Sequence, residues 1–202
     1  MSEQTIHYHA LRDTERRQAV FAWWQRLAGT TDHHEDTDDG GQGPDRAARA
    51  VLRRAQSPED ALLTEGFRRL WFSLPEAARS ARMMPAWGCV AVVLSQVRQH
   101  RADKEFAAAL GERLEPASDK PVFSELRFRQ LQQSRTGEEL LRRLRRAVHL
   151  LDNRVHVLSL ADGILQWHQE RTGQPAYQPE RRLAVRWANA YFTQITTYQK
   201  SA

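Results

Sequence analysis

The chain contains little of several things, and each scarcity narrows what the protein can be. Cys89 is its only cysteine, so no intramolecular disulfide can form, and we expect a reducing compartment in which this residue is a small buried hydrophobe. No apolar run approaches 18 residues, and the N-terminus lacks the basic-then-apolar layout of a signal peptide. These absences predict a cytoplasmic protein without a membrane segment.

Sequence motifs for catalysis are also missing. We find no nucleophile elbow, no phosphate-cradling glycine loop, no HExxH pair and no CxxC pair. Cleavage of a phosphodiester would need clustered carboxylates or paired histidines, whereas Asp152 and Asp162 are isolated in the sequence. The ligand-type residues of Asp32–Asp39 are adjacent rather than spaced for a metal, which favours a disordered acidic loop. The sequence therefore predicts a non-enzyme with no cofactor and no metal.

Lysine is scarce where arginine is plentiful. Of the 30 basic residues only Lys104, Lys120 and Lys200 are lysine, and the formal net charge is +5. Residues 1–120 are close to neutral, so the positive excess lies in residues 121–202. The planar guanidinium suits bidentate phosphate contacts and stacking on bases. Codon bias in a GC-rich genome would also raise arginine, but it does not explain the one-sided placement.

The hydrophobic periodicity is helical throughout, and no stretch alternates convincingly as a strand would. We predict an all-α fold of two small helical bundles joined by a short linker: an N-terminal bundle over 1–115 with an acidic loop at 30–44, and a C-terminal bundle over 120–202. Capping residues and prolines set the predicted helix boundaries. The predicted helices are 14–28, 45–54, 57–74, 85–100, 103–110, 124–133, 136–151, 155–170 and 179–198.

The helix predicted at 136–151 has two opposed faces. Thr136 and Glu139 match a capping box at its start. One face is an apolar stripe that we expect to be buried, made of Leu140, Leu141, Leu144, Ala147, Val148 and Leu151. The other face carries Arg142, Arg143, Arg145, Arg146 and His149. Because no acidic residue follows Glu139 in this helix, the arginines repel one another unless a polyanion lies opposite, and the pattern indicates phosphate.

A second arginine stripe lies on the helix predicted at 45–54. Arg46, Arg49 and Arg53 share one face at i, i+3 and i+7 spacing, with Arg54 beside them. An ordinary solvated face remains an alternative for this stripe taken alone. Two stripes without interspersed acids in separate segments favour a nucleic-acid surface.

Further basic residues extend the candidate surface. Within residues 123–135, Arg127, Arg129 and Arg135 bracket Phe128 and Leu131. Because Phe128 shares a helix face with Leu131, it is expected to be core rather than a platform for base stacking. Arg101 belongs to a basic cluster near the predicted boundary, which could instead compensate the dipole of a helix C-terminus. The candidate nucleic-acid-binding residues are Arg46, Arg49, Arg53, Arg54, Arg101, Arg127, Arg129, Arg135, Arg142, Arg143 and Arg146.

These stripes coincide with a resemblance to a known family. The matching features are Trp23-Trp24-Gln25, the segment Asp45–Arg54, Arg127 with Gln130-Leu131, Arg135-Thr136, and the triplet Leu144–Arg146. On these features the chain resembles CasB, the small subunit of the type I-E CRISPR surveillance complex Cascade, over about residues 22–192.

The resemblance implies an all-helical, two-bundle protein without catalytic activity. In that family two copies pack head to tail beside the backbone subunits that hold the CRISPR RNA. The family's basic surface stabilises the region of the RNA–DNA hybrid and holds the displaced single strand of target DNA. It implies partners of four kinds: backbone and large Cascade subunits, CRISPR RNA, single-stranded and R-loop DNA, and a second copy of the chain. Carried over to matching positions, the contacts would be Arg46, Arg53, Arg54, Arg127, Arg135, Arg142, Arg143 and Arg146.

Three other interpretations stay open from the sequence. A helix-turn-helix regulator could use 124–133 and 136–151 as its helix pair, although Glu138 and Glu139 in the first turn of the second helix would repel phosphate. A protein-interaction scaffold could present the arginines to acidic protein surfaces. A nuclease would show cleavage that depends on divalent cations.

Overall fold

A computed structural model describes residues 6–29, 45–173 and 177–199. Nearly all of its regular structure is helical, which confirms the predicted all-α class. In chain order the α-helices are α1 (Thr14–Ala28), α2 (Arg46–Arg54), α3 (Pro58–Leu62), α4 (Glu65–Ser73), α5 (Met84–Leu94), α6 (Phe106–Leu110), α7 (Glu125–Gln132), α8 (Gly137–Leu150), α9 (Val157–Arg171) and α10 (Leu183–Gln199). Within the described ranges no helix has the length and apolarity needed to cross a membrane. The predicted acidic loop 30–44 lies outside the described residues.

Helix α1 shows how local capping sets the boundaries. We expected Thr14 to cap this helix, but the cap is Asp13, whose carboxylate accepts hydrogen bonds from the backbone N–H groups of Glu15 and Arg16. Gly29 closes the helix with φ of 72°, a conformation that costs glycine little. The inner face of α1 packs against α2, α4 and α9, so this helix contacts both halves of the chain.

Helix α5 is the centre of the molecule. All its residues from Ala86 to Leu94 are buried, and it packs against α3, α4, α8 and α9. A β-carbon added at Gly88 would collide with the carbonyl oxygen of Pro58, so only glycine permits this approach of α3. The buried side chains of both halves belong to one hydrophobic cluster. The two halves of the chain therefore pack together. The division into two bundles at residues 115–120 stays a prediction.

Several predicted helices were wrong in extent: those expected over 103–110 and 179–198 begin only at Phe106 and Leu183, and two others differ more. The single helix expected over 57–74 is divided into α3 and α4, because Thr64 accepts a hydrogen bond from the backbone N–H of Phe67 and caps a new helix. The helix expected over 85–100 ends at Leu94, and its last residues form a short strand instead. The strand β1 (Gln99–His100) pairs in parallel with β2 (Arg154–Val155), so the prediction of no strand was also wrong.

The pairing of β1 with β2 connects the two halves of the chain beside the half-buried His100 and the buried His156. The ring centroids of His100 and His156 are 4.7 Å apart, and the rings of Phe21 and Trp24 of α1 lie against His100. Burial, and then the neighbouring His100, lowers the pKa of His156 to about 4. Both rings are therefore neutral components of the core near pH 7.

A buried carboxylate fastens the N-terminal segment to α9. One oxygen of Asp162 accepts hydrogen bonds from the backbone N–H groups of His9, Ala10 and Leu11, at 2.7–2.8 Å. The other carboxylate oxygen lies 3.5 Å from Arg186 of α10. Asp162 is 2% exposed, so these partners replace the water that its charge would otherwise need.

Candidate nucleic-acid interface

Helix α2 presents an arginine face because its opposite face is anchored in the core. Asp45 caps the helix by accepting a hydrogen bond from the backbone N–H of Ala48 at 3.3 Å, and the side chains of Ala48 and Leu52 are buried. Arg46, Arg53 and Arg54 are consequently exposed to solvent. The guanidinium of Arg53 makes one long hydrogen bond, 3.3 Å from its Nε to the side-chain oxygen of Gln96.

Helix α8 is built in the same way. The five apolar side chains predicted to be buried within the helix are buried, and Leu151, just after its last residue, is 8% exposed. Thr136 caps the helix through the N–H of Glu139 as predicted, but the Glu139 carboxylate accepts the N–H of Arg135 and not that of Thr136. Arg142 and Arg146, one turn apart, are exposed.

Arg145 joins the two arginine faces. Its Nη2 donates to the backbone carbonyl of Arg53, at 3.0 Å, and to that of Ala55. The two carbonyls belong to the last turn of α2 and to its C-cap, where no N–H group of the helix remains to bond them. The guanidinium of Arg145 on α8 therefore stabilises the C-terminal end of α2. Burial, together with Arg53, lowers the pKa of Arg145. The contact places the C-terminal end of α2 against Arg145 of α8, although 90 residues separate Ala55 from Arg145.

We call these two faces the α2–α8 surface and define it by Arg46, Arg53, Arg54, Arg142 and Arg146. Among the ion pairs between described residues, none involves any of these five side chains. The surface thus carries five exposed, unneutralised charges supplied by two anchored helices. Such a surface attracts polyanions in general and a phosphate backbone in particular.

Arg49 has a different environment from its neighbours on α2. Its Nε donates to the carbonyl of Ser95 and its Nη2 to the carbonyl of Val97, both at 2.9 Å. These contacts occupy the guanidinium in the turn that follows α5. Burial, and then the charges of Arg53 and Arg98, lower its pKa. Its guanidinium is directed at protein carbonyls. The predicted role of Arg49 in binding nucleic acid stays a prediction, and it would depend on the positive charge of the side chain.

Arg101 is also committed within the protein. It is 2.9 Å from Asp103 and forms a second ion pair with Glu112, which Lys104 approaches at 2.6 Å. Its hydrogen bonds to Glu112 and Asp103 raise the pKa of Arg101. Two carboxylates neutralise this cluster, so it lacks the free charge of the α2–α8 surface.

Arg143 and Arg135 lie around the beginning of α8. The Nη1 of Arg143 donates to the Ser134 hydroxyl at 2.9 Å and lies 3.3 Å from a Glu139 oxygen. Arg135 is exposed, and the hydrogen bond from its backbone N–H is the main reason why the pKa of Glu139 is lowered. These two arginines line a cleft together with Arg171 of α9, a residue that no sequence pattern indicated.

Helix α7 carries the remaining two predicted residues. Arg129 is exposed and Arg127 is partly exposed. Phe128 between them is 3% exposed and stacks on Tyr191 with centroids 4.0 Å apart, which confirms it as a core residue. The described contacts do not bring Arg127 or Arg129 to the α2–α8 surface.

Groups that could do chemistry are few in the described part of the chain. No group of three or more histidine, cysteine, aspartate or glutamate side chains could hold a metal there. Asp162 is occupied by backbone N–H groups, and Cys89 is buried, which raises its thiol pKa to about 12. Asp162 and Cys89 therefore serve the packing and hydrogen bonding of the fold.

The fold and the surface together define a class of protein: an all-α chain with exposed arginines on the faces of two helices that meet through Arg145. The family model described as CRISPR-associated protein Cse2 matches residues 48–192. Because this match covers well over half of the chain, the protein belongs to the Cse2 (CasB) family, whose members are small subunits of type I-E Cascade. The resemblance at Trp23-Trp24-Gln25 falls outside the matched range. No curated protein and no solved structure matched the chain significantly.

Membership of this family has coarse functional consequences. The Cse2 family is a structural component of Cascade and is not known for enzymatic activity. The chain accordingly works with other components of that complex. Whether the chain binds nucleic acid, and how it assembles with its partners, depends on the side chains that its surface exposes.

Proposed function

We propose that the chain is the non-catalytic, nucleic-acid-binding small subunit of a type I-E Cascade complex in the cytoplasm. The α2–α8 surface stabilises the R-loop formed by CRISPR RNA and target DNA, and it holds the displaced single strand. The observation that carries this proposal is the contact of Arg145 with Arg53 and Ala55, because it holds the end of one arginine-bearing helix against the other. In this proposal Arg127, Arg129 and Arg135 are further nucleic-acid contacts outside the α2–α8 surface.

The physical demands of the task fit such a surface. A displaced strand has whatever sequence the target has, so only its backbone offers constant contacts. Fixed guanidinium groups meet this need because each can form charge-assisted hydrogen bonds with a phosphate. Each contact releases counterions, so affinity for the strand should fall steeply with salt. Binding should show no sequence preference.

Partners follow from the same proposal. The chain binds the backbone and large subunits of the complex, and a second copy of itself, while its arginines contact CRISPR RNA and DNA. Two copies that align their surfaces would act on one strand with a raised effective concentration and so bind it more tightly than either copy alone.

The test is fluorescence anisotropy with single-stranded DNA, duplex DNA and RNA of random sequence across a salt series. The variant Arg142→Glu/Arg146→Glu should lose most of its affinity for single strands and show a shallower salt slope. A matched control, Arg68→Glu/Lys120→Glu, reverses two charges at exposed positions outside the surface and should retain binding. Circular dichroism would establish that helix content is unchanged in both variants.

Other outcomes would replace this proposal. A strong preference for one duplex sequence would favour a helix-turn-helix regulator, although Glu138 and Glu139 begin α8 and would meet the bases first. Absence of binding, with Cascade contacts that survive nuclease treatment, would favour a protein-interaction scaffold. Strand cleavage that requires a divalent cation would indicate a nuclease.

A further inference from the structure

A cleft at the N-terminal end of α8 gathers three arginines from three places in the chain. Arg135 precedes α8, Arg143 lies on α8, and Arg171 ends α9; together with Gln133 and Glu139 they line an open space of about 600 Å³. Glu139 is the single carboxylate among these lining residues, so the cleft has an excess of positive charge. Convergence of guanidinium groups from separate elements distinguishes the cleft from an ordinary solvated helix face.

Buried Ser134 fixes two of the three guanidinium groups. Its hydroxyl accepts the hydrogen bond from Arg143, and its backbone carbonyl accepts one from Nη2 of Arg171. Ser134 itself has no exposed surface. The guanidinium carbon of Arg171 also lies 5.2 Å from the ring centroid of Trp167, which further restrains it. Each guanidinium retains further N–H donors, so a ligand would find them already oriented.

We propose that this cleft binds a single phosphate group of a nucleic-acid strand, with Arg171 as a phosphate-binding residue. The cleft adds a discrete site to the α2–α8 surface, and only the strand part of the proposal rests on the proposed function. Glu139 favours a compact, doubly coordinated anion over indiscriminate binding, because it neutralises one cation and leaves two for the ligand. An acidic protein side chain would be a poorer ligand, since it offers fewer oxygens than phosphate to guanidinium groups on different sides of the cleft.

Trp167 allows the cleft to be tested by itself. Inorganic phosphate titrated at constant ionic strength against chloride should change tryptophan fluorescence saturably. The variant Arg171→Gln should abolish the change, and Trp167→Phe should remove the reporter while preserving the aromatic contact. The matched control is Arg82→Gln, because Arg82 also donates to a backbone carbonyl at the end of α9, that of Thr172, from outside the cleft. It should respond to phosphate like the unaltered protein.

A second arm identifies the source of the phosphate. Anisotropy with single-stranded oligonucleotides, with and without a 5′-phosphate, should show about tenfold weaker binding for Arg171→Gln, the loss expected of one charge-assisted hydrogen bond. Weakening with both oligonucleotides indicates an internal phosphodiester, and weakening only with the phosphorylated one indicates a terminal phosphate; both support the proposal. Arg171→Lys, which keeps the charge but loses the planar fork, should recover part of the affinity.

Three results would overturn the inference, and thermal midpoints within a few degrees of the unaltered protein establish that each variant is folded. A fluorescence signal indifferent to phosphate refutes the cleft as an anion site. An equal response in Arg171→Gln refutes the role of Arg171. A phosphate response combined with unchanged oligonucleotide affinity in Arg171→Gln refutes the strand as ligand. If Arg142→Glu/Arg146→Glu retains binding while Arg171→Gln loses it, the α2–α8 surface fails and the cleft stands.

Discussion

Nη2 of Arg145 lies 3.0 Å from the carbonyl oxygen of Arg53, so the side chain of one basic helix holds the backbone end of the other. The cation stabilises the C-terminus of α2, and it also holds that end of α2 against α8. The side chain of Arg145 therefore contributes both to the stability of α2 and to the position of its C-terminal end.

Replacing Arg145 with glutamine should destabilise the protein by about 1–2 kcal/mol, because the carbonyls of Arg53 and Ala55 lose a charged donor. Urea denaturation measures this loss. Arg146→Gln removes the same charge from an exposed position on the same helix and should change stability by less than about 0.5 kcal/mol. Equal stabilities of the two variants would contradict a clamping role for Arg145.

Arg49 and Arg53 form a second pair of neighbours with opposite expectations. Arg49→Gln should lower the unfolding free energy by about 1–2 kcal/mol, since its guanidinium satisfies the carbonyls of Ser95 and Val97. Arg53→Gln should leave stability nearly unchanged and weaken single-strand binding. Denaturation and anisotropy on both variants test the contrast, which is refuted if Arg49→Gln proves to be the variant that mainly loses binding.

Removal of the Asp162 carboxylate should be costly. Asp162→Ala leaves three backbone N–H groups near His9–Leu11 without their acceptor, and we expect a loss of about 3–5 kcal/mol. Denaturation gives the magnitude, and limited proteolysis should show new cleavage near Leu11. Asp119→Ala, at an exposed position, serves as the control. Unchanged protection of the N-terminal segment would show that other contacts hold it.

Stability should fall in mild acid because of buried histidines. Burial lowers the pKa of His168 to about 4, below the unfolded value of about 6.5. Between these values the unfolded state binds the proton and the folded state does not, so stability present above pH 6.5 is lost progressively as the pH falls towards 4. His156 acts in the same direction.

His168→Leu should therefore flatten the pH dependence of stability. Nε2 of His168 is buried without a hydrogen-bond partner among the described residues, so leucine should cost little at pH 7.5. Urea denaturation at pH 7.5, 5.5 and 4.5 should show a slope reduced by up to about 1.4 kcal/mol per pH unit. His149→Gln, at an exposed position on α8, should follow the unaltered curve. Parallel curves for His168→Leu would rule out this histidine as a source of acid sensitivity.

The parts of the fold that depend on local spacing were predictable from the sequence. The buried stripe of α8 and the extents of α1 and α2 follow from 3.6-residue periodicity and from capping residues. The break at Thr64 had a signal that was overlooked, a threonine followed by glutamate at a helix start. The strand Gln99–His100 had none, because its partner lies 55 residues away and pairing between strands is not encoded locally.

The same distinction between local spacing and long-range contacts applies to the candidate nucleic-acid interface. The exposure of Arg142 and Arg146 follows from the apolar stripe behind them. The internal bonds of Arg49 and Arg101 do not, because their acceptors come from other segments of the chain. For the same reason the sequence could not identify Arg145 as the residue that joins the helices, or Arg171 as part of a cleft.

The fastening of His9–Leu11 by Asp162 has a consequence for synthesis on the ribosome. Ala10 and Leu11 are synthesised long before Asp162, so their buried N–H groups find their acceptor only after α9 has been made. Helix α5, buried throughout Ala86–Leu94, likewise waits for α8 and α9 to cover it. The nascent chain therefore exposes the apolar α5 until α8 and α9 have emerged, so the core around α5 closes only after both have been made.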